Sequence, residues 1–214
     1  MKKLYLLSVI LLSTAFLQGC DQTQNTENSP CSCRIEVHEG HDKETPQGIV
    51  NAVRKAEKGD SIHFALFSLT YESYIDELIK AKSRGAEVEG IVDRSQTGGQ
   101  YMLERVQQVE DAGIPVKFGD NRGLMHIKLV TVRTHDKGNN GKYHTFYSSG
   151  SYNWTKNATT ENDEVIEFGY DCPHWERYEQ IWHNVYDKNK PADLNQLRAD
   201  KEARAKKRQA AEDN

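Results

Sequence analysis

The chain lacks an excess of positive charge, a long apolar run, an internal repeat and a cluster of carboxylates suited to Mg²⁺. Each absence excludes something. With 28 Lys and Arg against 32 Asp and Glu, the net charge is −4, so no global positive field advertises nucleic acid. Contact with a polyanion would have to rest on a local patch. The longest apolar stretch, Leu4 to Leu17, is too short for an ordinary transmembrane helix. Without a repeat, a single active constellation cannot be duplicated within the chain. Without grouped carboxylates, hydrolysis by a Mg²⁺ pair is not expected, and we assign no metal and no cofactor to catalysis.

What is present begins with an address. Lys2 and Lys3 precede the apolar stretch, and Leu17-Gln18-Gly19-Cys20 has the form of a bacterial lipoprotein cleavage box. We expect removal of residues 1–19, lipidation of Cys20, and an exported, membrane-anchored protein facing the periplasm or the cell exterior. Residues 20–45 read as the lipidated cysteine and a flexible tether, since 21–30 are polar without periodicity. With Cys20 lipidated, Cys31, Cys33 and Cys172 remain, an odd number in an oxidising compartment. One disulfide is expected, joining Cys172 to Cys31 or Cys33. A zinc site formed by Cys31, Cys33, His38 and His41 is the alternative for the same segment.

Residues 46–187 are long enough for one compact domain and too short for two. Ile49, Val53 and Ala56 recur at helical spacing over 46–57, as do Met102, Leu103, Val106 and Val109 before Gly113. Ser73 and Asp76 resemble a capping box at the head of a further helix that closes at Gly85. Residues 61–68 are almost continuously apolar, as in a strand covered on both faces. Strands are also expected over 87–93, 114–118, 127–132, 143–149 and 165–168, with Asp93 at a carboxyl end where open α/β sheets place ligand groups. Trp175, Tyr178, Ile181, Trp182 and Val185 mark a last helix over 173–186, an aromatic stripe read as core. The pattern predicts an α/β fold, a mixed β-sheet sandwiched between helices. Residues 188–214 form a charged, helix-prone tail containing Lys201 to Arg208. It reads as solvated, with contact to a polyanion or lipid headgroup as the alternative.

The chemistry gathers late in the chain. His126 and Lys128 are two apart on an expected strand, so their side chains share one face. Gly150-Ser151-Tyr152-Asn153 ends the returning strand, and Glu164 follows thirteen residues past the serine. A neutral imidazole can attack phosphorus, and an ammonium can hold a phosphate oxygen. Serine hydroxyl and asparagine amide add hydrogen bonds to the same phosphate.

His126-x-Lys128, Gly150-Ser151-x-Asn153-x-Thr155 and Asn162-x-Glu164 together resemble the phospholipase D superfamily, in its short, single-motif nuclease-like branch. The likeness spans roughly residues 47–187. It implies an α/β/α fold and a metal-free phosphodiesterase working through a covalent phosphohistidine. His126 would be the nucleophile, Lys128 the phosphate clamp, and Ser151 and Asn153 supporting donors. Glu164 would accept the nucleophile's other ring N–H, and Thr155 would cap the turn. Relatives with two motifs use a second histidine as acid, so one motif implies a symmetric homodimer sharing its site. Arg133 stands where the family has aspartate. An odd step from His126, it faces away on an unbroken strand, and its effect is expected in hairpin packing. The loop 134–142 is longer than the family's usual turn.

Three functions follow from these residues: a nuclease, a phospholipase D acting on headgroups near the bilayer, and an inactive phosphate- or nucleic-acid-binding lipoprotein. Lys117, Arg122 and Lys128, close in sequence, favour nucleic acid.

Overall fold

In the computed structural model, residues 33–42, 44–119, 123–138 and 141–212 are described. The strands are β1 (Arg34–Glu39), β2 (Ser61–Leu66), β3 (Glu87–Asp93), β4 (Val116–Gly119), β5 (Lys128–His135), β6 (Tyr143–Gly150), β7 (Val165–Tyr170) and β8 (Lys190–Pro191). The α-helices are α1 (Glu44–Lys55), α2 (Glu72–Ser83), α3 (Gln100–Asp111), α4 (Lys156–Thr160), α5 (His174–Tyr186) and α6 (Leu194–Glu212), with a 3-10 turn at Arg94–Gly98. The described strands form one mixed sheet in the order β1-β7-β6-β5-β2-β3-β4-β8.

β2, β3 and β4 run parallel, whereas β5, β6, β7 and β1 succeed one another antiparallel on the far side of β2. β2 is buried along its whole length because both faces are covered. Ile62, Phe64 and Leu66 pack with α1, α2 and α3, while Ala65 joins Ile91, Leu129, Trp182 and Tyr186 beneath α5. The expected sheet between helical layers is therefore present. Gly90 is needed for this packing, since a Cβ there would lie 1.9 Å from the Phe64 ring. Among the described residues, no helix is long and apolar enough to cross a membrane.

Two local features differ from the reading of the sequence, and the expected disulfide of Cys172 forms with Cys33. The stretch 20–45, read as a tether, ends in β1, which pairs with β7 at the sheet edge. Its alternation is inverted: Ile35 and Val37 face outward, 46% and 66% exposed. β1 is held instead by its backbone ladder, by Arg34 stacked over Tyr170 at 3.8 Å, and by the disulfide Cys33–Cys172. That disulfide also removes Cys33 from the zinc alternative, and His38 Nδ1 is bonded to Asp42 at 3.0 Å. Cys31 and Cys20, with the expected leader and lipidation, lie outside the described residues. Finally, α2 has no capping box: its N-cap is Tyr71, without a side-chain hydrogen bond. Thr70 and Tyr71 donate their backbone N–H groups to Trp154 O at 2.8 and 2.9 Å, which ties this helix to the end of the Gly-Ser motif.

Candidate active site

The topology brings the motif together at one edge of the sheet. β5 runs antiparallel to β2, so its start lies at the carboxyl ends of β2 and β3. β6 returns to that edge, and β7 departs from it. His126, Lys128, Ser151, Asn153 and Glu164 therefore all sit where strands β5 and β7 begin or β6 ends. Gly150 makes the turn possible: a Cβ there would lie 2.2 Å from Val165 O, so any side chain would push β7 away.

His126 lies in the extended segment before β5, and Phe67 N–H donating to Ile127 O at 2.9 Å prolongs the strand pairing to it. The imidazole is exposed, while Lys128 is buried to 6% exposure. Lys128 Nζ lies 2.9 Å from His126 Nε2 and 3.1 Å from His126 O. An ammonium has donors and no acceptor, so this contact requires Nε2 to be unprotonated. The ring then carries its proton on Nδ1, and the Nε2 lone pair, which accepts from lysine here, is freed for attack when Lys128 turns to another acceptor. Phe67 packs edge-on against the imidazole at 4.7 Å between centroids. Burial pushes the Lys128 ammonium below its ordinary pKa, against the opposing pull of the Glu164 and Asp93 charges.

Asp93 holds this segment in place, a role its position in the sequence did not disclose. Its buried carboxylate caps the 3-10 turn, accepting from Ser95 N at 2.9 Å and from the Ser95 hydroxyl. The other oxygen accepts Met125 N–H at 2.6 Å, one residue before the histidine. Thus the strand-end acid grips the backbone one residue before His126 rather than presenting itself to a ligand. No local pattern signals a partner 32 residues away.

Ser151 donates its hydroxyl to Glu164 and accepts Val165 N–H at 3.1 Å. Asn162 Nδ2 donates to the other Glu164 oxygen at 3.0 Å. Among the described residues Glu164 makes no hydrogen bond to His126: β6 lies between β7 and the strand that His126 leads into, and the Glu164 oxygens are taken by Ser151 and Asn162. Asn153 Oδ1 accepts Ser68 N–H at 3.1 Å, a contact that does not use its NH₂ donors. Thr155 caps α4, as expected, accepting Ala158 N–H at 3.2 Å. A cavity of about 650 Å³ opens beside Ser151 and Glu164, and one of about 310 Å³ lies beside Asp93, Gly123 and Lys201.

Other sequence candidates fall elsewhere. Lys117 is committed to Tyr186, donating to its carbonyl at 2.9 Å and lying 3.8 Å over its ring, so it does not join Lys128. Arg122 lies outside the described residues. Arg133 stacks over Tyr143 at 5.0 Å, near the far end of the hairpin. His135 and His144 lie there too, bound to Asp60 and Asp171 respectively, and are distant from His126 along the strands. A cavity of about 830 Å³ occupies that opposite edge.

The family model described as "Cardiolipin synthase, PLD-like domain" matches residues 49–185, well over half of the chain. The chain belongs to the phospholipase D superfamily. It is 27% identical over 135 residues to "Mitochondrial cardiolipin hydrolase" of Xenopus tropicalis, covering 62% of this chain and 57% of that protein. It is 27% identical over 136 residues to "Phospholipase D" of Rickettsia conorii, covering 64% and 61%. The chain thus spans about three fifths of the length of these curated relatives. Among solved structures, the phospholipase D family member Nuc of Salmonella typhimurium superposes with a TM-score of 0.62 at 21% identity, over 75% of this chain and 98% of that one. That similarity is one of fold.

Proposed function

We propose that this protein hydrolyses phosphodiesters through a phosphohistidine, with nucleic acid as substrate. The observation that carries the reading is the Lys128–His126 contact of 2.9 Å: one side chain leaves Nε2 unprotonated and brings positive charge to the same point. Nε2 attacks phosphorus, forming the N–P bond as the P–O bond to the leaving group breaks. Lys128 neutralises the phosphate oxygens and, with the NH₂ of Asn153, orients them. Glu164, held by Ser151 and Asn162, supplies negative charge that favours the lysine's protonated form. Water then cleaves the N–P bond and restores the imidazole.

The leaving oxygen needs a proton, and His135 and His144 are too far along the hairpin to give it. A second copy of the chain contributes the acid, its own His126, in a symmetric dimer. Lipidation at Cys20 would hold that dimer outside the cytoplasm on a membrane. Support for a nucleic acid substrate comes from α6, whose Lys201 lines the cavity beside Asp93 and whose continuation carries Lys206 and Lys207.

A phospholipid substrate is the second reading, favoured by Leu124 and Val165, 62% and 56% exposed beside His126 and Glu164. Incubating the chain in excess EDTA with plasmid DNA, RNA and phosphatidylcholine vesicles tests both. Nucleic acid cleavage that disappears in His126→Ala supports the first reading; turnover of vesicles alone selects the second. Turnover that EDTA abolishes and a divalent ion restores overturns the mechanism.

A further inference from the structure

On the face of the sheet opposite α1 and α2, two imidazoles and a carboxylate converge in a place the reaction does not use. We propose that His63, Glu179 and His183 form a divalent-metal site of the zinc type, which staples α5 to β2. His63 projects from the middle of β2 and is buried to 6% exposure. Its Nδ1 lies 2.9 Å from both oxygens of Glu179. His183, one helical turn further along α5, brings Nε2 to 3.6 Å from the same carboxylate. One donor atom from each of the three lies within 4.8 Å of the other two.

Those separations suit a metal. Zinc bonds to imidazole nitrogen and carboxylate oxygen at about 2.0–2.2 Å, so neighbouring ligands around it stand roughly 3–3.5 Å apart. The donor set, two nitrogens and one oxygen, leaves a fourth position for water, and His183 is about half exposed at that mouth. Zinc, and Cu²⁺ or Ni²⁺ by the same nitrogen preference, would enter in place of the proton between His63 and Glu179.

The surroundings fix the ligands as metal sites require. Thr131 donates its hydroxyl to Glu179 Oε1 from β5. Trp182 stacks on His63 at 4.1 Å between centroids, nearly parallel at 11°, and its own N–H is anchored to Phe64 O at 2.9 Å. Glu87 and Glu89 add negative charge within 4.8 Å of a ring nitrogen of this imidazole, which favours a cation there. The ligands thus come from β2 and α5, elements 116 residues apart in the chain.

The test uses the full chain, kept oxidised, stripped with a chelator and titrated with Zn²⁺ by calorimetry. The comparison is with His183→Ala, Glu179→Gln and, as a control at another candidate cluster, His38→Ala. The wild type and His38→Ala should take one Zn²⁺ tightly, and Zn²⁺ should raise their melting temperature by several degrees. His183→Ala, altered at the half-exposed ligand, should fold and bind at least about tenfold more weakly, with little thermal shift. Absence of saturable binding by the stripped wild type overturns the proposal. Binding that survives His183→Ala unchanged, or that is lost in His38→Ala instead, overturns it as well. Phosphodiester turnover should be the same in the stripped and loaded protein, which separates this site from the chemistry at His126.

Discussion

Breaking the Cys33–Cys172 bridge should cost this fold more than any surface change, and the size of the loss can be worked from the chain. The bridge joins residues 139 apart. Closing a loop of that length removes about 5 kcal/mol of unfolded-state entropy at 25 °C in the chain-entropy model. The described domain has roughly 180 residues, and unfolding entropy of about 2.1 cal/mol/K per residue gives about 0.4 kcal/mol/K near the transition. The melting temperature should therefore fall by up to about 12 °C, and by about half as much if the open denatured chain retains structure. Cys172→Ser is the appropriate perturbation, because Cys31, two residues from Cys33, could re-pair after a change at Cys33. The serine hydroxyl can still reach Tyr170 O, which the sulfur approaches at 3.3 Å. Thermal melts of wild type, reduced wild type and Cys172→Ser would measure the shift, and hydrogen exchange would locate it. Protection should vanish first in Arg34–Glu39, whose outward Ile35 and Val37 bury little. Melting within about 1 °C of the oxidised wild type for both open forms would refute the reasoning.

Lys128→Met should abolish turnover yet raise the melting temperature by about 2–4 °C, since it removes a buried ammonium costing on the order of 1 kcal/mol. Because the lysine's folded pKa is the lower one, the unfolded chain holds the proton more tightly. The gain should be full at neutral pH and fade as pH rises through the folded pKa; a gain independent of pH would argue against a desolvated charge. Asp93→Asn replaces one acceptor oxygen by a donor facing Met125 N–H or Ser95. It should lose about 2 kcal/mol of stability and slow kcat through displaced His126 while leaving substrate choice intact, as denaturant melts and kinetics would show. Mixing wild type with His126→Ala under free subunit exchange should lower activity as the square of the wild-type fraction; a linear fall would place a complete site in each chain.

Periodicity made most of the fold readable. The stripes of α1 and α3 and the doubly buried β2 needed no tertiary information, and the motif residues did converge on one edge. β1 was illegible because its apolar residues point to solvent, so alternation carried the wrong message and the bridge with β7 decides its place. β8 has two residues, too few for any period. The cap of α2 was misread because its entry is fixed by Trp154 O, which accepts from Thr70 and Tyr71, 84 and 83 residues upstream, and not by a nearby side chain. The basic cluster failed for a related reason: Lys117 is close to Lys128 in sequence but points beneath α5, where Tyr186 claims it. Glu179 and His183 stand at helical spacing, but nothing in the sequence shows that His63 faces them.

The β5–β6 hairpin carries its reactive groups at one end and its lengthened connection at the other. The other residues of β5 carry the strand from Lys128 to His135 before the turn, roughly 23 Å at about 3.3 Å per residue. Length and composition can therefore drift in that turn without altering register at Lys128, while Arg133, within β5, stacks on Tyr143 well along the strand from His126. The same separation makes the turn a handle. A fluorophore, an epitope or a small inserted module placed beside Gly138 would report on the molecule, or fix it to a support, from the edge opposite His126.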